Sequence, residues 1–351
     1  MRCPAYMSPT SLKVFESNRE EYYIRYLAEA RPPKLPQTQP MSIGSAFDAY
    51  IKSYLHYALF GNYGMFEKET IFEKQVEPHN RDWARVAGGY AFDVYKQCGA
   101  LADMMLELGT AVNAPRFEFD LLGEIDTNIG PVPIMGKPDV YFINGEGGRV
   151  ILDWKVNGYC SRSATSPMKG YVMCRDGWRS LSKKPSAGNR MPHKDCIPTL
   201  FKGLKINSQE YMEDLNAEWA AQLTMYAWLL GEEIGSQDLI VGVDQIVGQP
   251  SGNSEECLCS LVPGELIKRK FEHRVPWLRI ASHRVRIGAT YQFDLRGRLE
   301  SAWNAITSGH IFTGRDRADS DVLCAVLEEQ AAMFADSNDP MSEFINSTRT
   351  Q

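Results

Sequence analysis

The sequence contains no C-x-x-C pair and no histidine–cysteine spacing of the kind that ligates zinc. Its eight cysteines stand apart at 3, 98, 160, 174, 196, 257, 259 and 324, a scatter that reads as reduced thiols rather than a disulfide framework. No apolar run approaches the length of a membrane span, and Met1–Tyr6 leads into no signal-peptide core, so a cytoplasmic protein without membrane attachment is expected. Positive charge is not in surplus either: 38 Lys and Arg face 44 Asp and Glu, for a formal net charge of −6. What is present suffices for a large core, since 44% of the 351 residues are hydrophobic and only 23% charged.

The densest chemical signal lies in two short stretches. Gly136-Lys137-Pro138-Asp139 leads into the apolar run Val140–Ile143, and Val150-Ile151-Leu152 leads into Asp153-Trp154-Lys155. Between the runs stands the turn sequence Asn144-Gly145-Glu146-Gly147-Gly148, so the pattern predicts a β-hairpin. Folding it sets Asp139 beside Asp153, and the period of two along a strand turns Lys155 to the face of Asp153. Two ionised carboxylates held together repel unless a cation lies between them. Mg²⁺ or Mn²⁺, as one or two ions, suits oxygen ligands that also leave room for water and phosphate. A lysine beside such an ion positions or activates water and offsets charge on a phosphate in transit.

These residues resemble the PD-(D/E)xK nuclease superfamily and, within it, the RecB-like exonucleases. Pro138-Asp139 and Asp153-Trp154-Lys155 match the two metal-site motifs, and Gln222-Leu223-Thr224-Met225-Tyr226 is similar to the Gln-x-x-x-Tyr motif of the RecB-like helix. Ser8–Leu12 and Gly44–Asp48 resemble the opening helices of that group, so the resemblance spans roughly residues 8–250. It implies an α/β fold with a restriction-endonuclease-like core, a mixed central sheet flanked by helices. It further implies a metal-dependent DNA exonuclease acting at ends in recombination, repair or replication, including in phage systems, where the compartment is the host cytoplasm. Linear DNA with single-stranded ends is the implied substrate, and a single-strand-binding or annealing protein the implied partner.

By the same resemblance Asp139 and Asp153 are expected to hold metal with the Trp154 carbonyl. Lys155 is expected to activate water, and Gln222 and Tyr226 to position substrate or catalytic groups. Asp48 stands where RecB-like members usually carry a metal-assisting histidine, and Glu118 where they place an acidic residue on the first core strand. Glu124 competes for that last role but falls beside Gly123, where a turn or bulge is expected. Some RecB-like nucleases clamp an iron–sulfur cluster with one cysteine before the core and three after it. No cysteine stands near Asn18-Arg19 and only Cys257 and Cys259 lie close together after the core, so no cluster is expected. Two alternatives stay open: a catalytically inactive nucleic-acid-binding or assembly protein on the same fold, and a structure-specific endonuclease.

Charge distribution reconciles the acidic total with a nucleic-acid partner. From Val156 to Ser208 ten basic residues face Asp176 and Asp195 alone, and from Lys268 to Arg298 nine basic residues face Glu272 and Asp294. The first stretch lies within the 66 residues between Lys155 and Gln222 and interleaves Tyr171, Trp178 and Phe201 with cations. Rings that stack on bases and cations that follow phosphates suit single strands, so Arg162, Lys169, Arg175, Arg179, Lys183, Lys184 and Arg190 are candidate contacts.

One elaborated domain is expected over residues 1–334. It comprises an N-terminal helical part (8–110), a core (111–155 and 210–250), a basic insertion (156–209) and a C-terminal helical part (275–334), and a polar tail (335–351) follows it. Helices are expected from Ser8, through the stripe Ile43–Leu55, over 81–108, over 283–308 and over 319–334. Strands are expected at Arg116–Leu122, Ile129–Met135 and Leu239–Val247, and an extended Pro-rich loop at Arg31–Pro40.

Overall fold

Ser8 opens the first helix, α1 (Pro9–Ser17), by a reciprocal cap: its Oγ accepts from Ser11 N at 3.2 Å while Ser11 Oγ accepts from Ser8 N at 2.8 Å. Asn18 ends that helix and caps the next, α2 (Arg19–Tyr22), through a 3.0 Å bond from Glu21 N. A π turn, Tyr23–Leu27, follows. The computed structural model of the protein describes residues 1–97, 99–157, 171–174, 177–180, 198–208, 210–249 and 277–335.

The long helix α3 (Gln39–Phe60) starts with Pro40 in its first turn and stops at Gly61 in the left-handed conformation. Next come α4 (Lys68–Gln75), α5 (Arg81–Gln97) and α6 (Ala100–Leu108). The single helix expected over 81–108 is therefore two, broken at Gly99, whose φ of +87° no right-handed helix accepts.

The strands are β1 (Arg116–Phe117), β2 (Leu121–Thr127), β3 (Gly130–Gly136), β4 (Val140–Ile143) and β5 (Arg149–Asn157), then β6 (Tyr171–Cys174), β7 (Gly177–Ser180), β8 (Pro198–Phe201) and β9 (Leu204–Asn207). The chain continues through α7 (Met212–Leu215), α8 (Ala217–Leu229), β10 (Ile240–Gln249), β11 (Trp277–Arg286), α9 (Ala289–Ser308) and α10 (Arg317–Ala335). The central sheet runs β1-β4-β5-β10-β11, with the β6–β7 hairpin added at the β11 edge. It is mixed: β5 and β10 are parallel and every other neighbour is antiparallel. The β2–β3 and β8–β9 hairpins stand outside it.

Two further expectations need correction. The strand expected over 116–122 is interrupted after Phe117, because Glu118 adopts φ +45°, a conformation outside the strand range. The helix expected from His283 begins instead at Ala289, and the C-terminal part 275–334 enters as strand β11, paired with β10 over Ile240↔Arg286 to Gln249↔Trp277. Alternation over Ala281, Val285 and Ile287 carried that strand signal, but the interspersed Arg and His residues imitate the polar face of a helix.

The period of two then sorts the sheet into layers. Val150, Leu152 and Trp154 of β5 pack with α3, α5 and α6, whereas Ile151 packs with Val241, Val243 and Leu223 of α8. A third apolar cluster joins α1, the π turn, β2–β3, α9 and α10. A mixed sheet covered by helices on both faces is the expected restriction-endonuclease-like architecture.

Candidate active site

The β4–β5 hairpin has the predicted register. Val140 pairs with Leu152, so one step beyond the end of β4 Asp139 falls opposite Asp153. There the Asp139 side chain takes over from the missing strand: its Oδ2 accepts the Trp154 N–H at 3.2 Å. Trp154 itself turns its indole into the α3 side of the core, which leaves Asp153 and Lys155 on the α8 side.

On α8, Gln222 gathers these groups. Its Nε2 donates to Asp153 Oδ2 at 2.9 Å and lies 2.9 Å from the Tyr226 hydroxyl, and its Oε1 accepts from Lys155 Nζ at 2.9 Å. The spacing of four residues stacks Gln222 and Tyr226 one turn apart on one face. Gly136 makes room for the Tyr226 ring, with which any Cβ at that position would collide. Burial raises the Tyr226 phenol to about 12, helped by the nearby Asp153 charge.

Asp153 is 3% exposed. Burial pushes its carboxyl up to about 7, against the pull of Lys155 and with a further push from Asp139. Burial works against the charge of Lys155, yet Asp153 and Asp139 overcome it and hold the ammonium above the ordinary lysine value. Lys155 Nζ stands 2.8 Å from Asp153 Oδ1, but that buried oxygen accepts no aligned hydrogen bond.

From the other face, α3 supplies Asp48 and Lys52, a residue that motif reading missed. Lys52 Nζ meets Asp48 Oδ1 at 2.7 Å, Glu118 Oε2 at 3.2 Å and Asp139 Oδ1 at 3.2 Å. Gln75 Nε2 steadies the other Asp48 oxygen at 2.9 Å, and Lys137 Nζ reaches Glu118 Oε1 at 2.8 Å. Burial and Asp139 together raise the Asp48 carboxyl to about 6, with Lys52 opposing them. Burial also works against ionisation of Glu118, but Lys52 and Lys137 hold its carboxyl below the ordinary value. The available signal for Lys52 was its place one helical turn after Asp48, between the apolar residues Ile51 and Leu55.

All eight candidate catalytic and metal residues therefore meet at one edge of the sheet: Asp139, Asp153, Trp154, Lys155, Gln222 and Tyr226 directly, Asp48 and Glu118 through Lys52. A cleft of about 370 Å³ opens beside them, lined by Gln37, Gly44, Ser45 and Asp48 on one wall and Trp154–Val156 on the other. Of the candidate phosphate contacts, Arg179 lies on β7, while Arg162, Lys169, Arg175, Lys183, Lys184 and Arg190 lie outside the described residues.

The donor chemistry fits a hard divalent cation. It consists of oxygen alone, and the buried Asp153 Oδ1, beside its 2.8 Å ion pair with Lys155, accepts no aligned hydrogen bond. Among the described residues no group of three or more His, Cys, Asp or Glu side chains is arranged to hold a metal: Asp48, Glu118 and Asp139 converge on the Lys52 ammonium instead, so a site here would rely on two carboxylates and backbone. No described helix is long and apolar enough to cross a membrane.

Residues 6–168 match the family model of the PD-(D/E)XK nuclease superfamily, a match that points to a nuclease. It takes in Asp48, Lys52, Glu118, Asp139, Asp153 and Lys155 and ends before Gln222 and Tyr226. No curated protein matches. A solved structure titled "Crystal structure of SSO0001" aligns over 91% of this chain and 93% of its own at 10% identity, with a TM-score of 0.26, too low to carry an argument.

Proposed function

We propose that the protein is a metal-dependent deoxyribonuclease that hydrolyses phosphodiester bonds from DNA ends. The observation that carries this reading is the meeting of Asp139, Asp153, Lys155 and Gln222 at one sheet edge, where the buried Asp153 Oδ1 is faced by the Lys155 ammonium at 2.8 Å and accepts no aligned hydrogen bond. Asp139 and Asp153 would hold Mg²⁺ or Mn²⁺ together with the Trp154 carbonyl. When bound, such an ion supplies a Lewis acid for a phosphoryl oxygen and makes water a stronger acid.

The chain's own groups divide the remaining work. Lys155 stays protonated near neutral pH, because two carboxylates hold its charge, so it acts as an electrostatic partner for the phosphate and an orienter of water rather than as a base. Gln222 fixes the Lys155 ammonium and the Asp153 carboxylate relative to each other. Tyr226 limits the rotation of Gln222. The cleft between α3 and the end of β5 gives a strand access to the edge, and recombination, repair or replication is the setting that the sequence resemblance implies.

A second reading is favoured by one observation: each central carboxylate already faces a lysine, Asp139 with Lys52 and Asp153 with Lys155, so the cluster is paired without an ion. That arrangement suits a protein which binds nucleic acid and does not cut it. The deciding experiment incubates end-labelled linear single- and double-stranded DNA, beside closed circular DNA, in Mg²⁺, Mn²⁺ or EDTA with wild type and Lys155→Ala. Metal-dependent loss of linear substrate that the substitution abolishes supports the exonuclease. Cutting of the circle redirects the reading to an endonuclease, and binding without any cleavage supports the second reading.

A further inference from the structure

Lys52 takes part in none of these steps, yet it is among the most buried charged groups of the described residues. It is 2% exposed. Taking an ammonium out of water costs several kcal/mol and is repaid only by close charged partners. An ammonium has three hydrogens to give, and Lys52 faces three carboxylates from three segments: Asp48 on α3, Glu118 after β1 and Asp139 before β4. Glu118 reaches it from a left-handed backbone, a conformation that costs a non-glycine residue on the order of 1 kcal/mol. The fold therefore accepts strain to complete this arrangement.

We infer that Lys52 is a built-in cation: its ammonium fills the corner between Asp48, Glu118 and Asp139, so the protein takes one divalent ion, at Asp139 and Asp153, rather than two. The inference rests on the metal-dependent reading proposed above. Charge balance points the same way. With every group ionised, as a bound cation favours, four carboxylates (Asp48, Glu118, Asp139, Asp153) against three ammonium groups (Lys52, Lys137, Lys155) leave −1. One divalent ion turns this to +1, which a single phosphodiester neutralises, whereas two ions would leave +3 before substrate arrives. Lys52 is thus a positioning residue. It fixes Asp139 Oδ1 while the Trp154 N–H fixes Oδ2, and each oxygen keeps a lone pair for the ion.

The test counts Mn²⁺ bound per full-length chain by equilibrium dialysis and calorimetry, without DNA, for wild type, Lys52→Arg and Lys52→Met, with circular dichroism to verify folding. One ion in wild type and Lys52→Arg, and two in folded Lys52→Met, is the expected result, because removal of the ammonium frees three converging carboxylates. A merely structural lysine would alter melting and leave the count unchanged. Two ions in wild type, or one in folded Lys52→Met, overturns the inference and leaves the nuclease reading standing. No ion in wild type overturns that reading as well. Should Lys52→Met fail to fold, Glu118→Gln decides: one ion with affinity within about threefold of wild type supports the inference, and a loss of about tenfold or more makes Glu118 a ligand and overturns it.

Discussion

Lys155 Nζ and Gln222 Oε1 are joined by a 2.9 Å hydrogen bond that ties the end of β5 to α8 across 67 residues of sequence. The same amide holds Asp153 through its nitrogen, so one side chain sets the relative geometry of a catalytic candidate and a metal-ligand candidate.

Replacing Gln222 by alanine removes both tethers and leaves the two charged groups in place. Cleavage should fall about 10- to 100-fold, the usual cost of losing a group that orients a metal ligand, while the melting temperature moves little because the site is partly exposed. Gln222→Glu should be worse, since a second carboxylate would then face Asp153. Single-turnover rates across a Mn²⁺ titration check both variants, and wild-type rates in Gln222→Ala would remove the amide from the mechanism.

Gly136 is tested by a single methyl group. An added Cβ would overlap the buried Tyr226 ring, whose position is fixed by the packing of α8 on β5. Gly136→Ala should therefore destabilise the protein by about 1–3 kcal/mol, the usual cost of overpacking. It should also slow cleavage by displacing Tyr226 from Gln222. Restoration of stability in Gly136→Ala combined with Tyr226→Leu, measured by urea denaturation, would locate the strain at this contact.

The hairpin and its carboxylates were legible in the sequence because turn chemistry and strand period fix their register locally. Asp139 opposite Asp153 follows from five turn residues and two apolar runs. The Gln222–Tyr226 pair was legible for the same reason, as one turn of one helix. Lys52 was not, because its meaning depends on three carboxylates from distant segments, and an isolated lysine beside apolar neighbours reads as a snorkelling surface residue. Glu118 reaches the cluster by a route that the sequence did not show: the resemblance implies an acidic residue on a core strand, whereas a left-handed turn of the backbone after β1 aims it at Lys52. Strand β11 was hidden by Arg284 and His283, which are buried by tertiary partners that local pattern cannot foresee.

Asp153 also gives the metal-free protein a defined pH dependence. Its carboxyl is raised by burial to about 7 in the fold, against about 3.9 in the unfolded chain. The folded state thus holds the proton more tightly, so stability from this group is fully present below about pH 4 and is lost as pH rises through about 7. Asp48, raised to about 6, adds an effect of the same sign at slightly lower pH. Thermal melts in EDTA should show a higher midpoint at pH 5 than at pH 8, and Asp153→Asn should flatten that slope. A wild-type midpoint that rises from pH 5 to pH 8 would contradict the direction of the shift.

The same rule of paired burial applies to Arg284, outside the site. Its guanidinium, 5% exposed, donates to Glu107 at 2.8 and 2.9 Å and to Asp244 Oδ1 at 2.9 Å, and Tyr95 donates to the other Asp244 oxygen. Asp244 is fully buried on β10, directly beside Trp154 in the parallel ladder, so this network braces the strand that carries Asp153 and Lys155. Arg284→Met strips a buried carboxylate of its countercharge and should cost about 3–5 kcal/mol. Arg284→Met with Asp244→Asn removes both charges and should recover a large part of that loss. Urea unfolding of the two single variants and the double gives the coupling directly, and strictly additive losses would show that the guanidinium stabilises the sheet by packing rather than by charge.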